Sequence, residues 1–436
     1  MARAKSTPVR GALSRMFPKA MLQRLAVSEG VVRRRRRVDA VALFWVMVLT
    51  LDTGRKRRIA DLRRSYAKTT GVGLSASSFH KRLSPALARW LKKLVSAALD
   101  KTARATPGAG PVLGKIRDVL CVDSTVVRVH DALARVLPAC RTNHTLAAAK
   151  LHTVLNVRGK GPQSVKLTAE TVHDGPVLRA GSWVRGRLLL FDLGYFRYQL
   201  FAALARNGGY WLTRLKDNAN PEILWLHRPA RGQAARAEGK FLQEIKDQIT
   251  QKVFDAEVQI RFRRRAWAGR RHGATLLVRI VGLRDDVHGG YHWYITNLPE
   301  ALVPAEDIGK LYGARWSIEL LFPELKGCYQ LESLPSRKPY IVEALLYAAV
   351  LTLVASRALL AAVRRFRQIA GRRIPLERWA HLVVSAAAEL LAIVLDPLVM
   401  ARQRERRLIP FLVAEAPDPN VNRPLLLQRA GLPWAA

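Results

Sequence analysis

The sequence predicts an α/β core that carries a mainly β insertion and is flanked by helical regions at both ends. Three observations point there. Residues 1–110 and those after 335 repeat their apolar positions at helical spacing, while the stretch between turns to short apolar runs bounded by turn residues. Inside that stretch, residues 217–305 abandon the strand–helix rhythm for alternating strands.

The chain is long, 436 residues with 49% hydrophobic, enough for roughly two to four structural units around a buried core. Its charge is the outlier: 73 Lys and Arg against 33 Asp and Glu give a net +40. Such a field draws polyanions by steering and counterion release, which makes nucleic acid the natural partner. An anionic membrane surface is the competing reading. Three separated cysteines (Cys121, Cys140, Cys328) exclude a disulfide framework or a zinc cluster and fit a reducing cytoplasm. No amino-terminal apolar run resembles a secretory segment. The longest apolar stretches, Ala40 to Leu51 and Ala344 to Ala355, are too short to span a bilayer and read as buried helices.

Residues 1–110 hold 25 Lys and Arg but only 5 Asp and Glu, half the net charge in a quarter of the chain. Arg33 to Arg37 and Arg55 to Arg58 are unbroken basic runs. The segment from Ile59 to Lys68 predicts a helix, Gly71 to Leu74 a turn, and Ser75 or Ser77 the cap of a second helix reaching Leu91. That order resembles a helix-turn-helix module for DNA, and a purely structural helical hairpin would read the same way. Residues 106–111 form a Pro/Gly linker. The expected domains are therefore 1–110, 111–335 and 336–436.

The core is predicted to begin with a strand at Val119 to Val129, followed by strands at Leu151 to Val157 and Val165 to Val172. A short helix at Val177 to Val184, a strand at Leu188 to Gly194, a helix at Arg197 to Arg206 and a strand at Tyr210 to Lys216 complete it. This order is that of a ribonuclease-H-like α/β fold. The insertion reads as polar helix at Glu238 to Lys252 and strands at Val253 to Phe262, Ala274 to Leu283 and Tyr291 to Leu298. Helices at Val342 to Ala362 and Arg378 to Leu395 lead a helical tail.

Two aspartates stand where apolar strands do not ordinarily hold charge. Asp123 follows Val122 and Asp192 follows Leu188 to Phe191. An unpaired charge there costs several kcal/mol unless it meets a cation. Aspartates that merely cap strand ends are the plainer alternative. From about Ala305 a helix carries Tyr312, Arg315, Glu319 and Lys326, which fall within a sector of roughly 60° at 100° per residue. Three carboxylates can hold hard cations such as magnesium, and two such ions about 4 Å apart suit in-line phosphoryl displacement. A salt-bridged surface helix is the bland reading of the same array.

Val-Asp-Ser-Thr at 122–125, Phe-Asp-Leu-Gly-Tyr-Phe at 191–196 and the Y-x2-R-x3-E-x6-K helix resemble bacterial insertion-sequence DDE transposases of the insertion-sequence-four type, the transposon-five-like group. The resemblance is collinear over roughly 120–330 and includes the β insertion. It implies that Asp123, Asp192 and Glu319 form a catalytic triad holding two magnesium ions, with manganese able to substitute. It implies that Tyr312, Arg315 and Lys326 grip phosphates, and that Trp293 is the candidate to stack on a base flipped out in hairpin formation, a tryptophan of the sheet core being the plainer alternative. It further implies double-stranded DNA partners (terminal inverted repeats and target) and a cytoplasmic, nucleoid-associated protein without a membrane partner; joining two element ends in step calls for two active sites, so at least a homodimer on DNA is expected, with the apolar helices after 340 as its candidate seam.

Local chemistry sets limits beside that. Pro323 lies between Glu319 and Lys326, removes a helical hydrogen bond and rotates Lys326 off the shared face. Glu324 falls about 120° or more from that face and is expected to be solvated. Asp174-Gly-Pro reads as a cap, and His130 and His173 as locally bonded. Ser124 and Thr125 have no evident base, and no Walker A sequence is present. Beside a transposase, the rival readings are a structure-specific or domesticated nuclease with the same triad and a non-catalytic DNA-binding protein.

Overall fold

The computed structural model describes residues 7–32, 38–51, 58–105, 116–140, 145–157, 161–229, 236–263, 273–286, 289–331, 334, 336–369 and 372–419. The Arg33 to Arg37 run, most of the second basic run and the 106–111 linker lie outside them.

Six helices come first: α1 (Pro8–Met16), α2 (Lys19–Ser28), α3 (Ala40–Leu49), α4 (Ile59–Thr70), α5 (Ala76–Arg82) and α6 (Pro85–Ala105). Helix α3 is apolar all round and buried at every position, as a central core helix must be. Its amino end is capped by Asp39, whose carboxylate accepts from the Val41 amide at 2.6 Å. Gly71 ends α4 in the left-handed conformation, φ 70°, which a side chain with a Cβ rarely adopts. Ser75 caps α5 as expected, accepting from Ser78 N–H at 3.1 Å. The second basic helix does not run on to Leu91, however. Pro85 cannot donate within a helix interior, so the chain breaks at Leu83 and restarts as α6.

Among the described residues nine strands form one sheet, in the order β3-β2-β1-β4-β5-β9-β8-β7-β6. They are β1 (Asp118–Arg128), β2 (Ala148–Asn156), β3 (Gly161–Ala169), β4 (Arg187–Phe191), β5 (Tyr210–Arg214), β6 (Glu222–Leu226), β7 (Val253–Arg263), β8 (Gly273–Arg284) and β9 (Tyr291–Thr296). Between them lie the single turn α7 (Asp174–Val177), α8 (Tyr198–Arg206) and the single turn α9 (Leu242–Ile245). The β1–β4 and β4–β5 pairs are parallel and the named remainder antiparallel. The insertion is therefore no separate layer. Its strand β9 pairs with β5 and prolongs the central sheet. The polar helix expected at Glu238 to Lys252 shrinks to α9 and a 3-10 turn, and β6 was not foreseen.

The carboxyl half continues with α10 (Ala305–Gly313), α11 (Trp316–Pro323), α12 (Pro339–Val363), α13 (Leu376–Ser385), α14 (Ala387–Leu395) and α15 (Leu398–Glu415). The expected helix at Arg378 to Leu395 is really α13 and α14, bent 64° apart. Helix α12 is long and apolar enough to cross a membrane, but 89% of its most apolar stretch is covered by protein. It packs on α1, α3 and α6, and Thr352 donates its hydroxyl to the Val48 carbonyl at 2.7 Å. Residues from both ends of the chain thus share one core with one face of the sheet. The other face carries a second core with α8 and the insertion.

Strand alternation decides which face each functional residue meets. On β1, Cys121 joins the helix-covered core while Leu120 and Val122 join the other. Asp123 shares the parity of Cys121 and so faces the helices. On β4, Leu188 and Leu190 face the helices whereas Leu189 and Phe191 do not, which sends Asp192 the same way as Asp123.

Candidate active site at the carboxyl ends of two parallel strands

Register brings the two aspartates together. Val122 is paired with Phe191 across β1 and β4, so Asp123 and Asp192 are the next residues on neighbouring strands, which lie about 4.8 Å apart. The register is fixed at the far end by the partners Asp118 and Arg187, whose buried salt bridge closes at 2.8 Å. Asn156 adds a second bond to Asp118 at 3.2 Å. A one-residue slip would bury that ion pair unmatched, a heavy penalty.

Helix α11 lies over β1, and the Cys121 thiol contacts the Ala314 carbonyl at 3.3 Å where α10 gives way to α11. This is a tightening rather than a turn: Ser317 N–H reaches Ala314 and Ile318 N–H reaches Arg315, three residues back instead of four. Arg315 and Glu319 then pair at 2.5 Å above the aspartates. Burial pushes the Asp123 carboxyl up to about 6. The Ser124 amide and Arg315 oppose that rise, while the negative Asp192 and Glu319 add to it. Three carboxylates and one guanidinium thus feel one another. Among the described residues no three acidic or metal-ligating side chains converge closely enough to hold an ion as they stand. The donor set itself suits a hard divalent cation: three carboxylates, one of them half-desolvated and short of positive charge. Glu319 is pulled aside by Arg315, a contact on a partly exposed side chain.

The remaining residues expected on the shared face fare differently. Tyr312 is buried, with its hydroxyl donating to the Phe191 carbonyl at 3.1 Å and its ring under Arg315. A hydroxyl so engaged braces the strand end that carries Asp192 and is not turned outward to a phosphate. Lys326 sits past Pro323 in a π-helical turn, Glu324–Cys328, and not in the α-helix that carries Glu319. Trp293 takes the plainer of its two readings. It is buried in the sheet, edge-on to Phe254 at 5.6 Å and packed so closely on Gly282 that a Cβ there would come within 2.8 Å of its ring. It has no open face for a flipped base. Glu324 is a correction: it is buried, not solvated. Its two oxygens meet the Arg357 guanidinium, one contact at 3.0 Å, and it accepts from the Tyr329 hydroxyl at 2.9 Å.

Sequence reasoning passed over a polar cluster on the opposite face. Ser124 donates its hydroxyl to Asp174 at 2.7 Å, and His152, the cross-strand partner of Ser124, comes within 3.2 Å of the same oxygen. Burial alone would raise the Asp174 carboxyl, but His152, Ser124 and Lys150 hold it below the usual range. His152 occupies an unremarkable strand, so only the pairing register could have found it. Helix α11 also leaves Trp316 and Leu320 exposed beside Glu319. His130 is bonded both locally and at long range: its Nδ1 meets the Ala132 amide at 3.1 Å and its Nε2 meets Arg337 Nε at 3.1 Å.

Comparison with known proteins agrees with this geometry. A family model described as transposase DDE domain matches residues 114–355, more than half the chain. The transposase for insertion sequence element IS231B from Bacillus thuringiensis subsp. berliner is 23% identical over 387 residues, covering 78% of this chain and 77% of that protein. The IS231C transposase of the same organism is 24% identical over 390 residues with the same coverage. Among solved structures, a piggyBac transposase synaptic complex with hairpin DNA gives a TM-score of 0.45 at 10% identity, covering 94% of this chain and 86% of that one. That likeness is too slight to carry an argument about the fold.

Proposed function

As a member of the transposase DDE family, the chain is an insertion-sequence DNA transposase, and we propose that Asp123, Asp192 and Glu319 are its catalytic triad. The observation that carries this reading is the β1–β4 register, which sets the two aspartates side by side on the face covered by the helix of Glu319. The strand order β3-β2-β1-β4-β5 supports a ribonuclease-H-like core, with β6 to β9 as its insertion. The enzymes of this family depend on a divalent metal. The three carboxylates would hold it as two magnesium ions, manganese substituting, which supply Lewis-acid activation of the attacking oxygen and stabilisation of the leaving one.

The chain's own residues do the rest. Arg315 neutralises the acids and is placed to meet a phosphate once Glu319 turns away from it. Tyr312 holds the strand end under Asp192 in place. Lys326 would grip the DNA backbone further along. The substrate is double-stranded DNA: the element's terminal inverted repeats are cut, and the freed 3′ hydroxyl attacks target DNA. A homodimer on DNA gives each end its own active site, and the +40 charge suits a cytoplasmic, nucleoid-associated protein.

Asp123→Ala protein should bind a duplex carrying the element's end as wild type does, yet leave it uncut in magnesium. Cleavage at the wild-type rate would refute the triad. A domesticated nuclease with the same triad would nick that duplex without joining it to a target plasmid.

A further inference from the structure

Asp174 and its partners have no part in the chemistry above, yet they reach both the strand that carries Asp123 and the turn that follows Asp192. Ser124 is tied in two directions. Its amide donates to Asp123 Oδ1 at 2.7 Å, and its hydroxyl, on the other face of the strand, donates to Asp174 Oδ1 at 2.7 Å. The second oxygen of Asp174 looks toward Gly194, two residues past Asp192, where an added Cβ would lie 3.8 Å from it. Helix α7 packs on the turn Leu193–Tyr195 that follows Asp192. One carboxylate therefore stands between the residue after Asp123 and the turn after Asp192.

Asp174 is itself firmly held. Lys150 Nζ is 3.6 Å and His152 Nδ1 3.2 Å from its Oδ1, while His152 Nε2 bonds Thr168 Oγ1 at 2.8 Å. The Tyr195 hydroxyl, buried and without a hydrogen-bond partner, lies close enough to feel Asp174 and Asp123. A carboxylate whose near oxygen is claimed by a hydroxyl, an imidazole and an ammonium is a poor ligand for an ion. It is well suited to fixing others.

We propose that Asp174 is a positioning residue, which sets Asp123 through Ser124 and, through the packing of α7, the turn after Asp192, so that the two aspartates stand ready for the metal. The inference rests on the triad reading above. Outer partners of metal-holding carboxylates matter because a ligand that must find its rotamer at each binding event loses affinity to that search.

The full-length protein with Asp174→Ala, Asp174→Asn, Ser124→Ala or Ser124→Ala/Asp174→Ala is titrated with manganese, read from the free-ion electron paramagnetic signal. Affinity for a duplex carrying the element's end is measured without metal. Each alanine change should weaken manganese binding about tenfold. The double variant should be no weaker than the worse single one, because both remove the same link. Asp174→Asn, which keeps an acceptor for the Ser124 hydroxyl, should fall between wild type and Asp174→Ala. Metal-free DNA affinity should not move. Unchanged manganese affinity in Ser124→Ala, or losses that simply add in the double variant, would overturn the proposal. Asp123→Ala is the control: if it binds manganese like wild type, the triad reading fails first and takes this inference with it.

Discussion

Two glutamates five residues apart, Glu319 and Glu324, each face an arginine, and they are used for opposite purposes. Glu324 and Arg357 are almost fully buried, and Tyr329 satisfies one of the remaining lone pairs. Glu319 and Arg315 are partly exposed and joined across one helical turn. A buried pair cannot exchange its partner without stranding a charge in low dielectric, whereas a half-exposed one can release its cation at little cost. Pro323 lies between the two, and Glu324, still in the helical conformation, opens the π-helical turn Glu324–Cys328 that follows α11.

The comparison can be broken most forcefully from its active side. Glu319→Gln should abolish DNA cleavage while shifting stability by only about 1 kcal/mol, since a partly exposed ion pair across one helical turn is worth little. Comparable losses of both would erase the distinction. On the structural side, Glu324→Ala should cost about 3–5 kcal/mol in denaturant unfolding, because Arg357 is left buried and unpaired. Replacing the pair together, Glu324→Leu with Arg357→Met, should recover most of that loss, and cleavage should persist in the paired variant.

How far the sequence foretold this contrast depends on burial. Asp123, Asp192 and Glu319 were legible because charge interrupting an apolar strand, or spaced at helical period, shows in the letters alone. Strands β1, β4 and β5 were legible as apolar runs for the same reason. What the letters could not give was long-range pairing. Glu324 looked solvated because Arg357 lies 33 residues away. The close packing of Gly282 on the Trp293 ring, which favours the core reading of that tryptophan, is also a cross-strand contact. The link from Ser124 to His152 exists only through the β1–β2 register. Polar helical composition at Glu238 to Lys252 likewise yielded to tertiary packing, leaving α9 as one turn.

A smaller effect sharpens the same contrast by pH. The Asp123 carboxyl is raised to about 6 in the folded protein, so between about pH 4 and pH 6 the native state keeps a proton that the unfolded chain releases. Metal-free stability should therefore fall as pH rises through that window. Asp123→Asn should remove the slope and be more stable above pH 7 by roughly 2–3 kcal/mol. A flat profile in wild type would show that Asp123 is already charge-balanced by Arg315. A small shift also belongs to Arg315→Ala: about 1 kcal/mol in stability, but clearly slower cleavage, since Glu319 then loses its resting partner and the site the cation proposed to meet a phosphate.

The most direct test is the anomalous signal from a manganese-soaked crystal of the protein bound to a duplex carrying the element's end. The account predicts manganese held by Asp123, Asp192 and Glu319, with the Arg315–Glu319 contact opened. Manganese bound elsewhere, with Glu319 still locked to Arg315 in a complex that cleaves its DNA, would contradict it.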